Sequence, residues 1–149
     1  VGSTVEGPGH VFIGLVTAKT QRSDVDVLLV RVNNTEDWQQ GPWVSGQGGP
    51  TVTITGSTVS PVGGQVRMSS PINGILTGVV SARNVTINHA DGQLTGLTRT
   101  TLCATAGDLG APVYAGGQAQ GYVIAASSGC QTYLRPINPA LAEYGIQLF

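Results

Sequence analysis

The chain has few charged residues, few aromatic residues and only two histidines and two cysteines. Charged side chains make up 10% of the 149 residues, and the formal net charge is −1. No excess of Lys and Arg is available to neutralise a phosphate backbone, so nucleic acid is excluded as an expected partner. Histidines and cysteines are also too few and too scattered to build a metal-ligand cluster. We therefore expect neither a metal nor a cofactor.

Long apolar runs are absent as well. The longest, residues 25–32, is interrupted by Asp26 and Arg31, whereas a helix needs about 20 apolar residues to cross a bilayer. The sequence therefore predicts a soluble chain without a membrane partner. No basic-then-apolar targeting segment opens the chain, so we expect that export has removed one or that the chain starts inside its precursor.

Short segments rich in Val, Ile, Thr and Leu recur between clusters of Gly, Pro, Asn and Ser. This pattern is typical of all-β barrels and sandwiches. The predicted strands are 10–17, 25–32, 51–56, 65–68, 75–82, 85–88, 94–102, 112–115 and 118–126. The Asp-Gly pair within 88–92 predicts a hairpin loop. A proline start and a terminating glycine predict one short helix at 139–145, and the glycine-rich stretch 41–50 reads as a connection.

Cys103 and Cys130 suit either one disulfide or two buried thiols. Low charge with abundant Gly, Ser and Thr is typical of exported β proteins, where cysteines pair. We expect the disulfide and an extracellular location.

One motif carries most of the functional information: Gly107-Asp108-Leu109-Gly110-Ala111-Pro112, four residues after Cys103. It resembles the nucleophile loop of bacterial chymotrypsin-like serine proteases of the streptogrisin family, which have a serine where this chain has Leu109. Further ordered resemblances to that family lie at 62–67, 76–80, 128–130 and 135–146. The resemblance implies an antiparallel chymotrypsin-like fold. It implies a complete second barrel with the terminal helix at 49–149, and the latter part of a first barrel plus linker at 1–48.

The same resemblance implies a degenerate catalytic triad. Leucine has neither a lone pair nor an ionisable proton, so Leu109 cannot attack a carbonyl. Asp26 matches the triad aspartate, with Asp24 the weaker candidate. The family histidine is absent from its expected place. His10 lies only sixteen residues before Asp26, which leaves too little chain for the intervening strands, so we interpret it as a solvated turn histidine.

Other parts of the family site have counterparts here. The backbone amides of Gly107 and Leu109 would still be able to point into a cavity as an oxyanion site. Asp108 is expected to be structural, paired with an arginine that the sequence does not identify. The family's Ser-Gly-Gly cleft edge corresponds to Ile124, Ala125 and Ala126, in which isoleucine cannot donate a hydrogen bond. A register error of one residue would place Ile124 on the opposite face.

These features favour a secreted, catalytically inactive relative that binds a protein or peptide in the degenerate cleft. A second hypothesis is a hydrolase whose histidine comes from an N-terminal fragment and whose hydroxyl is Thr105, Ser127 or Ser128. A third is a structural or assembly module. Strands in 1–48 cannot close on themselves, so we expect their exposed edges to pair with a severed piece of the same precursor or with a second copy.

Overall fold

The computed structural model describes residues 1–46, 48–90 and 92–149, and the chain divides into two compact units. The first comprises Val1–Gly41 and the second Pro42–Phe149. The division lies at the start of the glycine-rich connection, whereas the sequence predicts it between residues 48 and 49.

The first unit is a three-stranded antiparallel sheet in chain order. Its strands are β1 (Thr4–Glu6), β2 (Phe12–Gln21) and β3 (Asp26–Val32). Beyond β3 the chain folds back on β2, where Asn34 Nδ2 and Trp38 Nε1 donate to the Phe12 carbonyl at 2.9 and 3.1 Å. In the described part of the chain, β1 and β3 each have one edge that pairs with no other strand.

The second unit contains a closed six-stranded antiparallel barrel. Its strands are β6 (Gln65–Ser70), β7 (Gly74–His89), β8 (Gly92–Thr100), β9 (Pro112–Ala115), β10 (Gln118–Ser127) and β11 (Gln131–Pro136), in the neighbour order β10-β11-β8-β7-β6-β9. Two short strands, β4 (Trp43–Val44) and β5 (Val52–Thr53), pair separately. The predicted all-β class is confirmed.

Alternation along the strands builds the barrel core. On β6, Val66 and Met68 are fully buried while Arg67 between them is exposed, as a period of two requires. The core cluster consists of Val66, Met68, Val80, Leu102, Ala111, Val113, Val123 and Leu134. Full burial of each large aliphatic side chain contributes about 1.5–3 kcal/mol to folding.

The predicted terminal helix is present as α1 (Ile137–Tyr144). It ends at Gly145, whose φ of 59° lies in the left-handed region that glycine adopts without strain. The Gly145 amide donates to the Ala142 carbonyl at 3.3 Å and the Ile146 amide to the Leu141 carbonyl at 3.1 Å. No helix in the described ranges is long and apolar enough to cross a membrane.

The strand pattern differs from the prediction in two ways. Segments 75–82 and 85–88 form one strand, β7, because register shifts between Val80 and Ile87 absorb the break. Strands β1, β4 and β11 were not predicted. The sequence of β11 lacks an alternating apolar pattern because Thr132 and Arg135 are polar, yet both side chains are fully buried. The predicted hairpin loop falls between β7 and β8, but its Asp91 lies outside the described residues.

Candidate functional site

The 103–112 loop is tied to the barrel at both ends. Cys103 and Cys130 form the predicted disulfide. Further on, the Gly110 amide donates to the Val123 carbonyl at 2.8 Å, and the Val123 amide donates to the Ala111 carbonyl at 3.0 Å. Gly110 has a φ of 85°, a conformation that side chains other than glycine rarely adopt. The loop conformation is therefore fixed by the disulfide, by backbone hydrogen bonds and by Gly110.

Asp108 is the anchor inside this loop and is 0% exposed. Its Oδ1 accepts a hydrogen bond from Ser70 Oγ at 2.5 Å, and its Oδ2 accepts from the Thr105 amide at 2.8 Å and from Thr105 Oγ1 at 2.9 Å. Burial raises the pKa of Asp108, but these three hydrogen bonds outweigh it and hold the pKa below its usual value. The carboxylate is therefore held ionised and structural.

The expectation that an arginine pairs with Asp108 is wrong. Within the described ranges, the partners of this carboxylate are the hydroxyls of Ser70 and Thr105 and one backbone amide. Hydroxyl donors satisfy a buried carboxylate without the desolvation of a second charge. No sequence signal identified Ser70, because it lies 38 residues before Asp108 and meets it only through barrel closure.

Residues Ala106–Asp108 form a 3₁₀ turn that places the candidate oxyanion amides. The Asp108 amide donates to the Thr105 carbonyl at 3.0 Å, and Thr105 and Asp108 form a reciprocal capping box. In a 3₁₀ turn the peptide amides run along the axis, each toward the carbonyl three residues earlier. The convergence of the Gly107 and Leu109 amides on one point stays a prediction.

Leu109 lies at the surface of a cavity of about 610 Å³. Its side chain is 56% exposed, and that of Trp43, on the same cavity, is 50% exposed. Pro71 and Pro112 contribute further apolar wall. Two large exposed apolar side chains on one concavity are the usual marks of a binding surface.

Ser45, Ser69 and Ser70 also line this cavity. The hydroxyls of Ser69 and Ser70 already form hydrogen bonds within the protein. Ser69 Oγ donates to the Ser45 carbonyl at 2.5 Å. Ser70 Oγ donates to Asp108 and accepts from the amides of Ile72 and Asn73 at 3.1 and 2.8 Å. No histidine is among the described residues that line this cavity.

The hydroxyls named in the hydrolase hypothesis, those of Thr105, Ser127 and Ser128, do not line this cavity. Thr105 Oγ1 donates to Asp108. Ser127 ends β10 opposite Gln131, and Ser128 follows in the turn toward β11. The structure brings neither Ser127 nor Ser128 together with Leu109.

The predicted cleft edge is the last part of β10. Ile124 is skipped by the pairing with β11, which joins Val123 to Leu134 and then Ala125 to Tyr133. This bulge interrupts the alternation that the register argument assumed. Strand β9 pairs with β10 only as far as Tyr122, so the described outer edge along Ile124, Ala125 and Ala126 has no strand beside it.

The remaining predicted residues belong to the first unit. Asp26 begins β3 opposite Gln21, and Asp24 accepts a hydrogen bond from Arg22 Nε at 3.1 Å. His10 lies at the end of a 3₁₀ turn, with its ring Nδ1 3.1 Å from Glu6 Oε2, and both are at the surface. The described residues contain no group of three His, Cys, Asp or Glu that would hold a metal ion.

Comparison with known proteins gives a consistent set of relatives. The chain is 36% identical over 152 residues to streptogrisin-C of Streptomyces griseus, covering 99% of this chain and 33% of that protein. Among solved structures, it is 37% identical to Thermobifida fusca protease A, with a TM-score of 0.81, covering 91% of this chain and 73% of the other. For Nocardiopsis protease the identity is 31%, the TM-score 0.84 and the coverages 97% and 77%.

These relatives are longer than this chain. The chain spans about a third of streptogrisin-C and 56% of glutamyl endopeptidase 2 of the same organism, to which it is 33% identical over 68% of its own length. No protein-family model matches it. The solved structures cover both units of the chain.

Proposed function

Since the chain belongs to the streptogrisin-like, chymotrypsin-fold family of bacterial serine proteases, we propose that it is a non-catalytic member that binds a protein or peptide segment. The observation that carries this proposal is Leu109. It occupies the nucleophile position of the family motif, yet its loop keeps the anchored conformation through Asp108 and Gly110. Loss of the nucleophile with retention of the loop favours binding over cleavage.

Two surfaces support recognition of an extended segment. The cavity beside Leu109 offers Trp43 and Leu109 to an apolar side chain, and aromatic anchors of this kind dominate binding energy. The outer edge of β10 along Ile124, Ala125 and Ala126 offers backbone groups for an added strand. A peptide bound in this way would use side-chain and main-chain contacts together.

An extracellular location is part of the proposal. The disulfide between Cys103 and Cys130 fits an oxidising compartment, and the relatives named above are proteases of the streptogrisin type. We also propose that the edges of β1 and β3 accept a further strand, from the same precursor or from a second copy. Light scattering with native mass spectrometry tests this last point, and a strictly monomeric 15.3 kDa species with a folded first unit would contradict it.

Labelling with a fluorophosphonate separates binding from hydrolysis. We expect no covalent adduct on the chain, and no gain from Leu109→Ser alone, because that serine would have no base beside it. Capture at Thr105, Ser127 or Ser128 would instead support the hydrolase hypothesis.

Binding is tested by panning a displayed peptide library against the purified chain and measuring the affinity of selected peptides. Leu109→Asp and Trp43→Ala should each weaken binding about tenfold or more, because they remove apolar contact in the cavity. Val62→Asp is the matched control, since Val62 is 59% exposed and lies in the same unit, outside the cavity lining. Failure to enrich any peptide, or equal loss in all three variants, would favour a structural or assembly role.

A further inference from the structure

A second cavity, of about 140 Å³, lies between the start of α1 and the barrel wall. Its floor includes Val66, Val80 and Leu134, each at most 1% exposed. Pro136 and Ile137 contribute the helix side. These residues make the apolar part of a pocket whose lining also includes Thr98, Gln120 and Asn138. The pocket shares no lining residue with the cavity at Leu109.

One cationic side chain, Arg83 of β7, lines this pocket and is partly buried. Its Nη1 donates to Thr98 Oγ1 at 3.4 Å and its Nη2 donates to the Ser60 carbonyl. Its Nε is buried without a hydrogen-bond partner in the described structure. Among the described residues no carboxylate forms an ion pair with this guanidinium. Burial lowers the pKa of Arg83.

A guanidinium that is partly buried beside a cavity and has no counter-charge is unusual, because removing a charge from water is costly unless it is paired. The geometry of guanidinium favours carboxylates, which it binds through two parallel hydrogen bonds. The opposite side of the pocket is also electropositive. The N-terminus of α1 lies there, with no acidic residue in its first turn and no side-chain cap to offset the positive end of the helix dipole. The electrostatics of the pocket therefore favour an anion.

Size and polarity together define the class of ligand. A dry cavity of about 150 Å³ accommodates benzene in another protein, so about 140 Å³ suits a ring or a short branched alkyl group. We propose that this pocket binds a small organic carboxylate, with its compact apolar body on Val66, Val80 and Leu134 and its carboxylate on Arg83. The site is independent of the proposed function at Leu109.

Benzoate is the probe, and benzyl alcohol is its neutral counterpart. In calorimetric titration of the intact chain, benzoate should bind with 1:1 stoichiometry, while benzyl alcohol should bind at least tenfold more weakly. Methyl-group NMR should show the largest shifts at Val66, Val80 and Leu134. This readout locates the ligand without any substitution and therefore does not depend on variant stability.

Variants then test whether the positive charge of Arg83 holds the carboxylate. Arg83→Gln should weaken benzoate binding at least tenfold, and Arg83→Lys should keep part of it because the positive charge remains. Arg67→Gln is the matched control, since Arg67 is an exposed arginine of the same unit that does not line this pocket, and it should bind benzoate like the unmodified chain. No benzoate binding at millimolar concentration, equal affinity for benzyl alcohol, or undiminished binding by Arg83→Gln would overturn the proposal.

Discussion

Asp108 is a fully buried charge and Arg83 a partly buried one in the same unit, and their surroundings differ. Asp108 accepts three hydrogen bonds, from Ser70 and Thr105. Arg83 retains a buried Nε without a partner in the described structure and has no carboxylate beside it there. A satisfied buried charge holds the fold in place, whereas an incompletely satisfied one beside a cavity indicates a ligand. Substitution at these two positions should therefore have opposite consequences for stability and for binding.

The largest expected effect follows Asp108→Asn. The amide keeps the side-chain shape, but its NH₂ group must face either Thr105 or Ser70, and both positions hold donors. Ser70 Oγ has no lone pair left to accept a hydrogen bond from this NH₂ group, because it already accepts from the amides of Ile72 and Asn73. We expect a loss of about 3 kcal/mol in the free energy of unfolding, measured by urea denaturation.

Asp24→Asn serves as the control for that measurement. Asp24 is exposed and pairs with Arg22 at the surface, where such pairs contribute about 0–1 kcal/mol. If both substitutions changed the unfolding free energy equally, Asp108 would have no special structural role.

A smaller effect is expected for Ser70→Ala. This substitution removes the donor to Asp108 Oδ1 and the acceptor for two turn amides. The amides have solvent nearby, since Ile72 and Asn73 are exposed. We expect a loss of about 1–2 kcal/mol. The neighbouring Ser69→Ala removes one hydrogen bond, to the Ser45 carbonyl, and should cost less. The reverse order would contradict the assigned role of Ser70.

Acid should weaken the Asp108 anchor in a defined direction. Its folded-state pKa lies below the usual value, so its contribution to stability is complete above the unfolded pKa of about 4 and is lost as pH falls through the folded pKa. Unfolding free energies measured at a series of acidic pH values should therefore decline for the unmodified chain. Asp108→Asn should decline less steeply, and parallel profiles would show that other carboxylates cause the decline.

The fold was predictable where local patterns carry it, and less so where long-range contacts do. Alternating apolar residues predicted β6. Pro139 and Gly145 predicted the terminal helix, although α1 begins two residues before Pro139. Strand β11 was not predicted, because Thr132 and Arg135 are polar and are buried only once the barrel closes.

The site follows the same division. Leu109 and its loop were predicted from one motif and its resemblance, and the disulfide was predicted from the composition. Ser70 and Arg83 were not singled out, because their significance arises from partners and a cavity assembled by β6, β7 and α1. A sequence motif identifies a loop, whereas the satisfaction of a buried charge depends on residues that are distant in the chain.

The smallest expected effect on stability is that of Arg83→Gln in the absence of ligand. The substitution removes a charge whose partial burial is costly, but glutamine ends where Arg83 Nε lies and so gives up the hydrogen bond that Nη2 donates to the Ser60 carbonyl. These changes oppose each other, so we expect the unfolding free energy to change by less than about 1 kcal/mol. With benzoate present, thermal denaturation should separate the two proteins, because a ligand that binds only the native state raises the stability of the chain that retains the cation. A large loss on Arg83→Gln without ligand would instead make Arg83 a structural anchor like Asp108.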